Sequence, residues 1–491
     1  MKIYRSIAGI LILMFGISGC NQWLDIRPVS EVSEDKMFST EQGFQDALYG
    51  VYVNLGKKEL YGGNLTTALD VAAQYYMEIE SANAFARFRH FDYKDPKCTQ
   101  VMDVVWKKLY FCIALTNNIL LHLENKDPKS LRYYHYYKGE SLALRAYLHY
   151  ELLRIFAPNV KKMPDYVSIP YKRLFSNDIE PQLKVQEIVR LAIADLEEAK
   201  ECLKEDVIRT NKPEFLTKED EKEDGNLVIY DRSDFLKKRK YQMNYYAVLA
   251  TLARIHLDLG TPADKEKAYQ YATEVINSEK FRPVQEENLL VTNEKERDIL
   301  FTDEFIFGVY SRQVDAFHNK WLSASGGMTT QLMMVQQFLS TIFESVNTDY
   351  RYRFCYDQRS NRFYINRHVQ GYTYSSDKIR MLTLPEMYYI ASEAKPEMAH
   401  ILMPVIMTSR HIDCTLTTQS AADEAMAVVL KEYRKEFVGD GQFFYTYKRL
   451  ADDPVMQTLN VGISNKDRHL VFPLPEEEIK YGERESEIWS K

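Results

Sequence analysis

Rings and bases on segments without helical periodicity are the chemically suggestive feature of this chain. Tyr75, Tyr76 and Arg87 lie in a run from Tyr61 to Tyr93 that is dense in aromatic and basic residues. Tyr310, Phe317 and Trp321 lie in a second run, FIFGVYSRQVDAFHNKW. A flat aromatic face can stack on the apolar C–H face of a sugar ring while neighbouring polar groups hold its hydroxyls. These six side chains are the candidate ligand-binding residues.

Catalytic constellations are missing from the sequence. No H-E-x-x-H, G-x-S-x-G, phosphate-loop lysine motif or G-x-G-x-x-G occurs. His149 and Glu151, two residues apart on a helix, point to different faces and make poor co-ligands. A glycosidase needs two carboxylates about 5–10 Å apart, and nothing singles out such a pair among the 70 acidic residues. The expectation is a binding protein with no catalytic residue, no cofactor and no metal.

The charge balance excludes nucleic acid. The formal net charge is -7 and falls to about -9 when the leader carrying Lys2 and Arg5 is removed, the wrong sign for phosphate backbones. Met1 to Cys20 has the form of an export signal, two bases ahead of an apolar run from Ile7 to Ile17 that is too short to span a bilayer. No later stretch reads as membrane-spanning. The remaining cysteines, Cys98, Cys112, Cys202, Cys355 and Cys414, are odd in number and form no C-x-x-C pair. Cys112 and Cys202 read as core thiols, with one bridge among the five left open.

The elements that must position the rings are helices. Tyr245, Val248, Leu249, Leu252, Ile255 and Leu259 make one helical stripe, Gly260 stops it, Pro262 opens the next helix, and Ala268, Ala272, Val275 and Ile276 make a second stripe. This αα unit, rich in alanine at the contact, has the composition of a tetratricopeptide-type hairpin. Further helical patterns cover about 33–55, Val101–Leu123, Leu131–Ala157 (apolar nearly all round, hence central) and Val185–Leu203. Residues 205–240 read as a charged, solvated interruption without chemistry. FTDEFIFGVY alternates as a short strand would, SRQVDAFHNKWLSASGGM reads as a loop, and Asp349–Tyr374 reads as strands and loops folding back over the helices.

Motifs in order along the chain carry a family resemblance. Ile17-Ser18-Gly19-Cys20 resembles a bacterial lipobox, in which Cys20 becomes the acylated mature N-terminus. WLDIRP at 23–28 and MFSTEQGFQDALYGVYVNL follow it. Trp106, Tyr110, Ile113 and Asn117 share one helix. SLALRAYLHYELLRIFAP has Ala157 where a glycine is usual. Asp349-Tyr350-Arg351 matches a D-x-R, and Arg410 stands in a drifted V-R-x-R-A-G. Leu384, Glu386, Tyr388, Ala391, Glu393 and Ala394 form a further set. In KEYRKEFVGDGQFFYTYKRL, Glu432, Arg434, Glu436, Phe437, Gly441, Phe444 and Arg449 fit, while Asp440, Phe443 and Thr446 depart. Phe472, Pro473, Pro475, Glu478 and Ile479 close the series, without a terminal N-P-G-Y. Together they resemble the SusD/RagB family of nutrient-uptake lipoproteins.

The resemblance implies a mainly α fold, with tetratricopeptide-like hairpins in a right-handed superhelical scaffold and a loop-rich second part carrying short strands. It implies a signal peptide over 1–19 and a single SusD-like domain over 20–491. The scaffold would occupy about 33–204, 241–281 and 384–450, with ligand-facing segments about 61–97 and 300–380. It further implies an outer-membrane lipoprotein on the cell exterior, held only through its lipid. Such a protein captures oligosaccharide for a SusC-like TonB-dependent barrel in polysaccharide utilization. Peptide binding, or docking on the barrel with no ligand of its own, are the alternatives.

Overall fold

The computed structural model describes residues 34–77, 83–213, 234–323, 331–368, 377–459 and 463–490. Cys20 and the leader lie outside the described residues. Two compact units divide the chain, Met1–Phe44 and Gln45–Lys491. In the first, the one-turn helix Glu34–Met37 is followed by Phe38 and Phe44, whose rings meet edge to face at 5.1 Å.

Helices dominate, and their ends follow capping chemistry. They are α1 (Glu41–Leu55), α2 (Asn64–Ala72), α3 (Pro96–Glu124), α4 (Tyr134–Phe156), α5 (Val185–Cys202), α6 (Tyr245–Leu259), α7 (Pro262–Asn277), α8 (Val314–Trp321), α9 (Leu384–Ala394), α10 (Ala399–Ser409), α11 (Ala422–Glu436) and α12 (Phe443–Arg449). The α6–α7 hairpin forms where periodicity puts it. Asn244 caps α6 by accepting from the Ala247 N–H, and Gly260 ends it at φ 65°, a left-handed conformation that favours glycine. Thr261 then caps α7, with Pro262 in its first turn. Adjacent packing runs α3 on α4, α4 on α5, α6 on α7, and α7 on α9, which in turn holds α10 and α11. Burial around almost the whole of α4 makes it the central helix. By length and apolar composition α3 could cross a bilayer, contrary to the expectation that no later stretch would; half of its most apolar window is buried inside the protein, as in a core helix.

Strands are few. β1 (Phe305–Tyr310) pairs antiparallel with β5 (Lys378–Thr383), and β2 (Met334–Val335), β4 (Arg362–Ile365) and β3 (Tyr356–Arg359) make a small antiparallel sheet in that order. Five consecutive residues of β1 are buried, so it is covered on both faces instead of alternating. Two expectations need correction. Residues 314–321 are helical, with the Ser311 hydroxyl accepting from the Gln313 and Val314 N–H groups at the entrance. Residues 61–97 contain α2 and a turn of helix at Ala86–Arg89, much of it core. The five cysteines at 98, 112, 202, 355 and 414 are free.

Buried ion pairs tie these elements together, and motif residues supply them. Glu436 on α11 takes Arg351 at 3.1 Å, Arg410 at 3.2 Å and Arg380 at 2.9 Å. Arg351 also grips Asp349 and Glu432, each at 2.7 Å, and Arg410 forks onto Glu304 at 2.6 and 2.7 Å. Arg145 does the same to Asp195 and reaches Asn117. Arg449 pairs with Glu393 and Asp258, and Arg254 with Glu386. The D-x-R and E-x-x-x-E spacings are therefore the two halves of one structural device. Nor is the 205–240 stretch wholly solvated: Arg239 and Asp206 are buried, joined by two hydrogen bonds of 3.0 and 2.7 Å, with Glu140 on the other side of the guanidinium.

Glycine at 441 has a definite cause. Asp70 on α2 accepts from the Gly439 and Gly441 N–H groups at 2.6 and 2.8 Å, and both glycines hold positive φ. A Cβ at 441 would also crowd the Thr66 backbone at 3.1 Å.

Burial opposes ionisation of Glu432, but Arg351 and Lys435 overcome it and hold the carboxyl below its usual range; for Glu436, Arg410 and Arg351 do so. Their contribution is present above the ordinary glutamate value of about 4.3 and is lost as pH falls through the lower native value. Glu432→Gln should cost about 3–5 kcal/mol at pH 7 by leaving Arg351 short of a partner. In denaturant titrations the gap to the unaltered protein should narrow below about pH 4.

Candidate ligand site

Of the six candidate residues, the fold brings two together. Phe317 and Trp321, one turn apart on α8, both meet Phe85, with ring centroids 5.9 Å away in each case and edge-to-face geometry. Phe85 and Phe317 are buried, whereas Trp321 is half-buried. The result is an indole backed by the buried Phe85 ring, which Phe317 backs in turn, with Lys320 Nζ 4.5 Å from the indole centroid. The Trp321 carbonyl accepts from the Leu332 N–H, tying the end of α8 to the chain leading into β2.

Buried polar groups lie on the same stretches of chain. His318 is 1% exposed, and burial, reinforced by His368, pushes its pKa down to about 3, so the imidazole is neutral. The backbone at Ile365 comes near, but neither ring nitrogen closes a hydrogen bond, and both ends of the buried Gln331 amide are likewise without a partner. A neutral imidazole and an amide each offer one donor side and one acceptor side, which suits hydroxyl chemistry.

The other candidates stand elsewhere. Tyr75 is 1% exposed, packs against Phe443 and donates its hydroxyl to the Arg434 carbonyl at 2.6 Å. Tyr76 is equally enclosed, and its carbonyl accepts from Arg89. Arg87 is partly exposed and pairs with Asp95 at 3.4 Å. Tyr310, at the end of β1, is 37% exposed and stacks on Tyr241 at 4.4 Å, with Lys238 over its outer side. Phe85 was not among the six, although it lies in the same ring-rich run as Tyr75 and Arg87; only the packing distinguishes it. Among the described residues no group of three or more His, Cys, Asp or Glu is placed to hold a metal ion.

Comparison with known proteins meets this geometry. A SusD superfamily structure from Bacteroides thetaiotaomicron superposes with a TM-score of 0.66 at 16% identity, covering 91% of this chain and 97% of that one. A structure described as a putative sugar binding protein from Bacteroides vulgatus gives 0.61 at 19% identity, covering 83% and 86%. These likenesses show the fold, a tetratricopeptide-like helical scaffold. Residues 22–218 match a SusD-like family described as starch-binding and associating with the outer membrane. A SusD-like protein of Formosa agariphila is 24% identical over 313 residues, 62% of this chain. That match spans about half, 51%, of the relative's length. Over residues 22–218 the chain is thus similar to a SusD-like family, and it shares the fold of the superposed structures.

The brace behind the indole can be tested alone. A Cβ on Gly63 would lie 2.5 Å from the Phe317 ring. Gly63→Ala should displace that ring, destabilise the fold by about 1–3 kcal/mol and shift the tryptophan fluorescence maximum, all read in one melting experiment.

Proposed function

We propose that this protein is a cell-surface, glycan-binding lipoprotein that captures oligosaccharide and passes it to a SusC-like TonB-dependent barrel. The half-buried Trp321, backed by Phe85 and carried on the same helix as the unpartnered neutral His318, supports the reading. A rigid ring loses little entropy on meeting a sugar face, and a neutral imidazole and amide fit hydroxyls better than the charged ends of a peptide. The match of residues 22–218 supports the ligand class, since the family matched there is described as starch-binding. The protein does no chemistry on what it binds. Cys20 carries the acyl chains, and each buried methylene contributes about 0.8 kcal/mol, so two or three chains hold it on the membrane. Handover to the barrel is by movement of the whole protein as a lid.

Glycan-array binding of the full chain in detergent tests the ligand class. Trp321→Ala should weaken glycan affinity about tenfold or more, roughly 1.5 kcal/mol, while leaving the melting temperature within a degree or two. Binding confined to a peptide library would overturn the glycan assignment. For the anchor, Cys20→Ser should move the protein from the membrane to the soluble fraction on cell fractionation; an unchanged membrane fraction would refute acylation at that residue.

A further inference from the structure

A second polar site lies within the helical scaffold. Helices α4, α6, α9, α11 and α12 converge on a small crevice whose lining includes Arg154, Arg254, Asp258, Glu386, Tyr433 and Tyr445. Four of these keep a buried polar atom with no protein partner: Arg154 Nε, Arg254 Nη1, and the hydroxyls of Tyr433 and Tyr445. All four side chains are at least nine-tenths buried. Groups of this kind are rarely left unmatched, because each costs about 1–3 kcal/mol when desolvated without a bond.

Every unmatched group is able to donate, and the two guanidiniums can only donate. The acceptors in the lining are already engaged. Both Glu386 oxygens take Arg254; one Asp258 oxygen takes the Tyr150 hydroxyl and the other takes Arg449. Gln442 Oε1 takes Arg154. A hydroxyl-bearing ligand would find free acceptors only in the two tyrosine oxygens. An oxyanion brings acceptors alone. Rigidity favours the site as well, since the Arg154 guanidinium is clamped against the Tyr445 ring, 3.8 Å from its centroid, and against Tyr150 at 4.9 Å. Arg254 is fixed by Glu386 and by the Met381 carbonyl at 2.9 Å.

We propose that this crevice binds a small oxyanion through Arg154 Nε, Arg254 Nη1 and the Tyr433 and Tyr445 hydroxyls. The anion comes either as a free inorganic ion or as the carboxylate of an acidic sugar, and the four donors are common to both. This site is distinct from the Trp321 platform and does not depend on the glycan reading there.

Thermal unfolding of the full chain in detergent, at constant ionic strength, with sodium sulfate in one arm and sodium glucuronate in the other, tests the proposal. A saturable rise in Tm of roughly 2–4 °C is expected in at least one arm. Response to sulfate alone assigns an inorganic ion, to glucuronate alone an acidic sugar, and to both the shared oxyanion chemistry. Tyr433→Phe and Tyr445→Phe remove only an unpartnered hydroxyl, so Tm without anion should hold or rise. Each should raise the midpoint anion concentration about tenfold. No saturable response in either arm, or the same response in the double Tyr→Phe variant, would overturn it.

Discussion

The structure hangs on charge that has been taken out of water and fully matched. Glu436 is the meeting point: three guanidiniums, from Arg351, Arg410 and Arg380, converge on one carboxylate that is itself inaccessible to solvent. They come from the short helix Tyr350–Phe354, the end of α10 and strand β5. A hydrophobic contact would let these elements slide; a forked guanidinium on a carboxylate does not. Replacing such a network by apolar residues need not lower stability, but removing one member leaves a buried charge unbalanced. The network acts as a geometric lock more than as a reservoir of free energy.

That lock explains why the motifs could be seen without their partners. Asp349, Arg351, Glu432 and Glu436 are visible in the sequence as spacings of two and four, yet the pairing of Arg351 with Glu432 spans 81 residues and no periodicity records it. The α6–α7 hairpin lies at the other extreme, since Gly260 and Pro262 act within one turn of where they sit. Helix α8 is hard to see in the sequence because serines and glycines follow close behind Trp321 and its N-cap, Gln313, makes no side-chain cap bond. Rings were the least legible. Tyr75 and Trp321 are both amphipathic residues in ring-rich runs, and either could have been core or platform. Tyr75 finds a carbonyl to donate to and is enclosed, while Trp321 ends its helix half-buried.

The site therefore inherits its precision from parts that touch no ligand. Phe85, just ahead of the helical turn Ala86–Arg89, meets the indole edge to face, and Phe317 of α8 meets Phe85. α2 is held in turn by Asp70, whose carboxylate receives two backbone N–H groups from the glycine-bearing turn after α11. A chain of contacts thus leads from the ionic lock to the exposed ring.

The clasp of Arg239 on Asp206 and Glu140 has a different bearing. It holds Asp206 and Arg239, 33 residues apart in the chain, against Glu140 of the central helix α4. Since doubling the length of a closed loop adds only about 0.6 kcal/mol of entropy, the sequence between the two clasped residues can change in length with little consequence for the body. It is a natural graft point for a reporter or an epitope tag.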